Sequence, residues 1–246
     1  MRRIVRRKLD PGTQWYLDDK SAEVMAAPRR ERAARARALW KAAQKTAALK
    51  AVKRTLRRMA SGLGRCMYCE DSAGATIDHF RPLARYPHLA FRWKNHFHAC
   101  SFCNSNQKRD QFPVDAARRP LLIKPTLEDP LVHLELEPDT GNFKERDGSP
   151  KGAATIRVFG LNARPDLPRG RKNALLVLQG LLRDYAQLRR DGSVGRATEY
   201  ERVIRNFPFS SVLVHLMELA SGPGAAVLEP DCITAIATHP EIRGWL

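Results

Sequence analysis

The sequence predicts an α+β fold that is predominantly helical, with a small strand-containing module embedded over residues 65–113. Three observations carry that expectation. A stretch rich in Ala, Arg and Lys runs from about residue 21 to 60 with Pro28 as its only internal breaker. Leu175, Leu178, Leu182, Tyr185 and Leu188 recur at helical spacing, as do Val212, Leu213, Leu216, Met217, Leu219 and Ala220. Between these helical regions, two C-x2-C pairs, Cys66/Cys69 and Cys100/Cys103, bracket a short alternating segment. The expected organisation is a basic arm and helical region over 1–64, the cysteine module over 65–113, a small strand-and-loop extension over 114–170 and a helical layer over 171–246.

The first residues contain Arg2, Arg3, Arg6, Arg7 and Lys8 ahead of Asp10-Pro11-Gly12, which reads as an arm that orders on a partner, followed by a turn. Over 21–60, one long helix or two shorter ones is expected. Leu39, Ala43, Leu49, Val52, Leu56, Met59 and Leu63 approximate an apolar stripe, and Lys53, Arg54, Arg57 and Arg58 lie off it as candidate nucleic-acid contacts or as a solvated face. Gly62 and Gly64 then stop the helix. Gly74 turns the chain into a strand through Ala75–Phe80, ended near Pro82, and a short helix is expected from Ala99 to Lys108. Val132, Leu134 and Leu136 alternate before a turn at Pro138–Asn142, and Thr155–Phe159 reads as a further strand. After Pro165 and Pro168, helices are expected over 171–190, 196–206, 209–221 and 231–238.

Composition bounds the function. At 246 residues and 43% hydrophobic content the chain buries a sizeable core without needing a metal for compactness. Its 43 Lys and Arg against 26 Asp and Glu give a formal charge of +17, which favours a polyanionic partner without specifying a sequence. No stretch is apolar enough for a membrane span, and the arginine-rich start lacks the apolar segment of a secretory signal, so a cytoplasmic location is expected. No glycine-rich nucleotide fingerprint or repeat is present. Paired cysteines in such a chain read as zinc ligands rather than disulfides, whereas the isolated Cys232 reads as a buried thiol.

Four thiolates complete a tetrahedral zinc site and leave no open position, so that ion is structural. The competing readings are a redox dithiol, unconnected core cysteines or an iron–sulfur centre. Thirty residues separate Cys69 from Cys100, so closing the site organises the intervening loop. That loop carries Asp78 and His79, whose side chains diverge from a strand. A carboxylate suits Mg2+ or Mn2+, and a neutral imidazole accepts a proton from water. Asn104, beside the last cysteine, offers an amide oxygen as a second cation ligand, or caps a helix. Asn95 reads as a loop-positioning residue or a surface asparagine. Lys108, one turn beyond Asn104, and more weakly Arg81 and Arg109, read as phosphate contacts or solvated cations. No chemical role is assigned to His96 or His98. Trp93 and Phe97 read as a hydrophobic cover, and Trp15, Tyr16, Trp40 and Trp245 show no aromatic-basic pattern that specifies a single-strand platform.

Taken together, Cys66-Met67-Tyr68-Cys69-Glu70, Ile77-Asp78-His79-Phe80-Arg81-Pro82, Tyr86-Pro87-His88-Leu89, Trp93-Lys94-Asn95 and Ala99-Cys100-Ser101-Phe102-Cys103-Asn104 are similar to the zinc-supported HNH endonucleases of the ββα-metal class. With Lys108 and Phe112-Pro113, Glu128-Asp129-Pro130, Gly141-Asn142-Phe143, Thr155-Ile156 and Leu161-Asn162, the pattern more narrowly resembles the HNH subunit of Septu-type and retron-associated antiphage systems, over roughly 65–190. The resemblance implies His79 as general base, Asp78 and Asn104 as ligands of a catalytic Mg2+ or Mn2+, and Asn95 as the loop-organising asparagine. Asn104 stands where many such proteins have histidine. Lys108 follows it at a spacing of four, one longer than related proteins suggest, and the long N-terminal helical region departs from their short lead-in. The implied activity is hydrolysis of DNA phosphodiester bonds, with an ABC-type ATPase partner and, in retron-associated versions, a reverse transcriptase and its noncoding RNA. RNA cleavage, or a non-catalytic zinc-stabilised nucleic-acid-binding or assembly module, are the alternatives.

Overall fold

In the computed structural model, which describes residues 1–245, the N-terminal region forms three helices, the second and third of which lie wholly within the 21–60 stretch where one or two were expected. They are α1 (Pro11–Ala26), α2 (Arg32–Ala43) and α3 (Ala47–Met59). The expected turn at Asp10-Pro11-Gly12 is a helix start. Asp10 accepts the Thr13 N–H at 2.8 Å and Pro11 fills the first position, where a missing N–H costs nothing. Pro28 separates α1 from α2. Thr46 caps α3 by accepting the Leu49 N–H, which divides the expected stripe. Leu49, Val52, Leu56 and Met59 are buried on α3, whereas Leu63 is 69% exposed.

The basic arm is packed, not free. The Ile4 N–H bonds the Pro125 carbonyl, and the Met1 ammonium lies 3.2 Å from the buried Glu70 carboxylate. The Arg6 guanidinium sits 4.8 Å from the ring centres of both Trp93 and Phe97 and donates to the His96 carbonyl. Trp93 and Phe97 are thereby covered within the fold.

β1 (Thr76–His79) pairs antiparallel with β2 (His96–Ala99), and a π-helical segment, Phe102–Lys108, follows directly. A second two-stranded sheet joins β3 (Leu134–Leu136) to β4 (Phe143–Glu145). The strand expected at 155–159 is a helix, α4 (Pro150–Phe159). Ser149 accepts the Gly152 N–H, Pro150 occupies the first turn, and Gly160 ends the helix at φ +59°. These local signals outweigh the β-branched composition. α5 (Asp166–Arg190) starts before residue 171, with Pro168 tolerated in its first turn. α6 (Val194–Asn206), α7 (Ser210–Ala220) and α8 (Pro230–Thr238) complete the chain's predominantly helical architecture.

One apolar cluster runs from Met1 to Trp245 through all these regions. Arg171 is fully buried. It donates to the Gly141 and Leu161 carbonyls and to Asn162 Oδ1, and it lies over the Phe143 ring, joining α5 to the β3–β4 turn. Among the described residues, no helix is long and apolar enough to cross a membrane.

Candidate metal centre and the two faces of the hairpin

The Sγ atoms of Cys66, Cys69, Cys100 and Cys103 all lie within 4.8 Å of one another, and all four residues are buried. The Cys69 and Cys100 sulfurs are 3.8 Å apart. That is far longer than a disulfide of about 2.05 Å. It matches the edge of a tetrahedron, about 3.8 Å, that Zn–S bonds of about 2.3 Å generate. The backbone N–H groups of Tyr68 and Cys103 each point at a cluster sulfur, Cys66 and Cys100 respectively, from 3.5 Å. Hydrogen bonds from Cys103, Cys66 and Cys69 hold the Cys100 thiol well below its ordinary pKa, whereas burial pushes Cys66 up and the hydrogen bonds of the cluster push Cys103 up. These features are consistent with a structural zinc site. The first pair is tied to the hairpin by the Met67 N–H on the His98 carbonyl.

Residues in register across an antiparallel pair share a face. Asp78 and Thr76 therefore lie with Phe97 and Ala99, and His79 and Ile77 lie on the other side with His96 and His98.

On the first face, Asp78 is buried and both carboxylate oxygens are engaged. Tyr68 Oη donates to Oδ2 at 2.6 Å and Lys108 Nζ donates to Oδ1 at 2.8 Å. Burial, followed by the Asp78 charge, pushes the Tyr68 phenol well above its ordinary pKa, so it stays the donor. Tyr68 lies between the first two cysteines, which connects the metal knot directly to Asp78. Lys108 is not on the surface as a phosphate contact requires. It is 0% exposed, and Nζ also donates to the His79 carbonyl at 2.7 Å. The cause is the π-helical turn, closed by the Arg109 N–H on the Asn104 carbonyl, which points position 108 inward. Asn104 donates to Thr76 Oγ1 at 3.0 Å.

On the second face, His79 Nε2 lies 2.9 Å from the Ala90 carbonyl. A carbonyl only accepts, so Nε2 carries the proton and Nδ1 carries the lone pair. His79 Nδ1 has no hydrogen-bond partner among the described residues, and the residue is only partly buried. Burial pushes the His79 pKa down to about 4, so the ring is neutral near pH 7. Its cover is Trp40, on α2, whose ring centre lies 4.3 Å away in an edge-on contact. Trp40 also packs on His96 and Phe91. His96 shares the Ala90 carbonyl, and burial lowers its pKa to about 3.

Asn95 is buried. Its Oδ1 accepts the Arg81 N–H at 2.8 Å, and Nδ2 donates to the Arg81 and Leu89 carbonyls. The loop between the strands is thus tied to the end of β1. The Arg81 side chain lies over Tyr86 and Phe112. Arg109 is exposed, as are Arg54, Arg57 and Arg58 on α3, while Lys53 is half-buried. The structure thus brings Asp78, Asn104 and Lys108 to one face of β1 and places His79 on the other. Tyr68 and Trp40 carry no sequence signal for a place at the site, because a C-x2-C spacing says nothing about the residues between the cysteines and Trp40 has no local motif.

No protein-family model matches the chain. Over a 142-residue alignment it is 33% identical to the Septu protein PtuB of Bacillus mycoides (strain KBAB4). It is similar to a Septu protein. The alignment takes in 46% of this chain and 47% of that relative, so the chain spans about half the length of the curated protein it matches. Septu similarity and a buried four-cysteine cluster therefore occur together in one chain.

Proposed function

We propose that this chain is a nuclease of the HNH type, hydrolysing phosphodiester bonds of DNA as part of an antiphage defence system. The observation that carries the reading is His79, a neutral imidazole whose Nδ1 lone pair no protein group takes up, on a hairpin anchored to a four-cysteine cluster. Such a nitrogen accepts a proton from water as the water oxygen attacks phosphorus and the bond to the 3′-oxygen breaks; the 3′-oxygen takes a proton from solvent to leave as a hydroxyl, and the other end keeps a 5′-phosphate. Similarity to a Septu protein supports the defence context, and the charge of +17 supports a nucleic-acid substrate. By the same resemblance, the chain works beside an ABC-type ATPase.

Asp78 and Asn104 are the residues that would hold a divalent cation. As they stand they do not fit one, because Lys108 and Tyr68 occupy both Asp78 oxygens and the Lys108 ammonium balances its charge. The proposed Mg2+ or Mn2+ site requires Lys108 to withdraw, and no step is assigned to the ion here.

Supercoiled plasmid incubated with Mg2+ or Mn2+, with the chain alone and with a co-purified ATPase, tests the proposal. Cleavage is expected to fall at least about 100-fold in His79→Ala. Equal cleavage by both proteins would remove His79 from the chemistry. A specific observation keeps a second reading in view: the Asp78–Lys108 pair is what a non-catalytic, zinc-stabilised binding module would also contain. Binding without metal-dependent turnover in either preparation would favour it.

A further inference from the structure

Beside His79, the elements α2, α3 and β1 enclose a cleft of about 420 Å³, within the size range of small-ligand sites. It is lined by the cations Arg37, Lys41 and Lys53 and by the apolar side chains of Trp40, Ile77 and Leu83. None of the lining residues is acidic. Among the described residues, none of the three cations has a carboxylate partner. Arg37 and Lys41 are moreover four residues apart on one helix, where like charges repel and destabilise it. A cleft lined by three unpaired cations and an indole has the two recognition elements of a nucleotide: positive charge for phosphate and a π-surface for the base.

We propose that this cleft is a nucleotide subsite that takes one unstacked base of a nucleic-acid strand against Trp40, with Arg37, Lys41 and Lys53 holding the adjoining phosphate. The proposal deepens the nuclease reading, on which it rests for its biological role, by assigning how the strand is gripped next to His79. Duplex DNA keeps its bases stacked and offers none to the indole, so the subsite selects a single-stranded or flipped-out nucleotide. Trp40 is the wall shared by the cleft and the His79 ring. A base stacked there occupies the free side of the residue that covers His79. The sequence hides this site because Arg37, Trp40 and Lys41 lie on one helix and Lys53, Ile77 and Leu83 come from three later segments.

The test is fluorescence polarisation of a short labelled single-stranded DNA, and of the same strand with abasic residues, on the full chain without added divalent ion. The wild type is expected to bind the base-bearing strand about ten-fold more tightly than the abasic one. Trp40→Ala is expected to erase that difference while leaving abasic binding in place, and Trp40→Phe to restore most of it. Lys41→Glu is expected to weaken both strands. Equal binding of the two strands by wild type, or equal losses for both in Trp40→Ala with Trp40→Phe no better, would overturn the proposal. A free nucleoside monophosphate binding as tightly as the strand would overturn the assignment to a polymer. His79→Ala is expected to keep the base preference, so a failure of the catalytic reading and a failure of this one are read separately.

Discussion

The two faces of β1 are built on opposite principles. The Asp78 face is saturated: a carboxylate takes one phenol and one ammonium, the phenol belongs to the cysteine knuckle, and the ammonium comes from the π-helical segment. Asp78, Tyr68 and Lys108 each have a partner there, so moving one of the three exposes another. The His79 face is aromatic and less complete. Two imidazoles share one carbonyl, Trp40 leans on both, and one ring nitrogen is left open. Residues adjacent in sequence thus have different freedom: Asp78 is held by Tyr68 of the cysteine cluster and by Lys108, and His79 is covered by a helix whose buried residues are only Ala36 and Ala43.

Removing the metal should have the largest effect. Structural zinc contributes on the order of 10 kcal/mol of binding free energy in small modules. Chelation, or Cys103→Ser, is therefore expected to abolish cooperative melting of the 65–113 region. Circular dichroism with elemental analysis of bound zinc checks this, and an unchanged melt would show that the knot does not hold the Asp78 face. Next comes Lys108→Ala, which strands the buried Asp78 charge and is expected to cost about 3–5 kcal/mol in urea denaturation. Adding Asp78→Asn should recover part of that loss, since no uncompensated charge remains; a strictly additive double mutant would mean the pair is not coupled.

Acid should act chiefly on the other face. His96 has a folded pKa of about 3 against about 6.5 when unfolded, so between those values the unfolded chain binds more protons. Stability is therefore present in full above pH 6.5 and is lost as pH falls, by about 1.4 kcal/mol per unit at most for that ring. His79, with its value near 4, adds to the same window. Denaturation midpoints of wild type and His96→Gln from pH 7 to 4 should diverge in slope, and parallel curves would contradict a buried neutral ring. The smallest effect is expected from Arg54, Arg57 and Arg58, which are exposed on α3. Replacing all three by Ala should leave stability within about 0.5 kcal/mol. The salt dependence of DNA binding should become shallower, and an unchanged slope would remove α3 from the interface.

Much of the first face was legible in advance because its signals are local. The two C-x2-C spacings located the cysteine cluster, and the alternation around Asp78-His79 located the strand. The inward turn of Lys108 was not legible: an α-helical reading puts position 108 one turn above Asn104, and only the wider π-helical turn brings it to Asp78. The segment 155–159 was misread on its β-branched residues although Ser149-Pro150 and Gly160 already marked a helix. The basic arm looked free because charge suggests solvent, yet Arg6 packs between two rings. The cover over His79 rests on long-range packing of α2 against the hairpin loop, for which sequence carries no periodic signal.

The proposed nuclease chemistry depends on a neutral His79 ring with an unpartnered Nδ1. Long-range 15N–1H NMR of the histidine rings, with His79 assigned by substitution, reads it directly. At pH 6 the account predicts a neutral His79 ring protonated at Nε2, with Nδ1 showing the shift of an unprotonated nitrogen. A doubly protonated ring at that pH, or a proton on Nδ1, would contradict it.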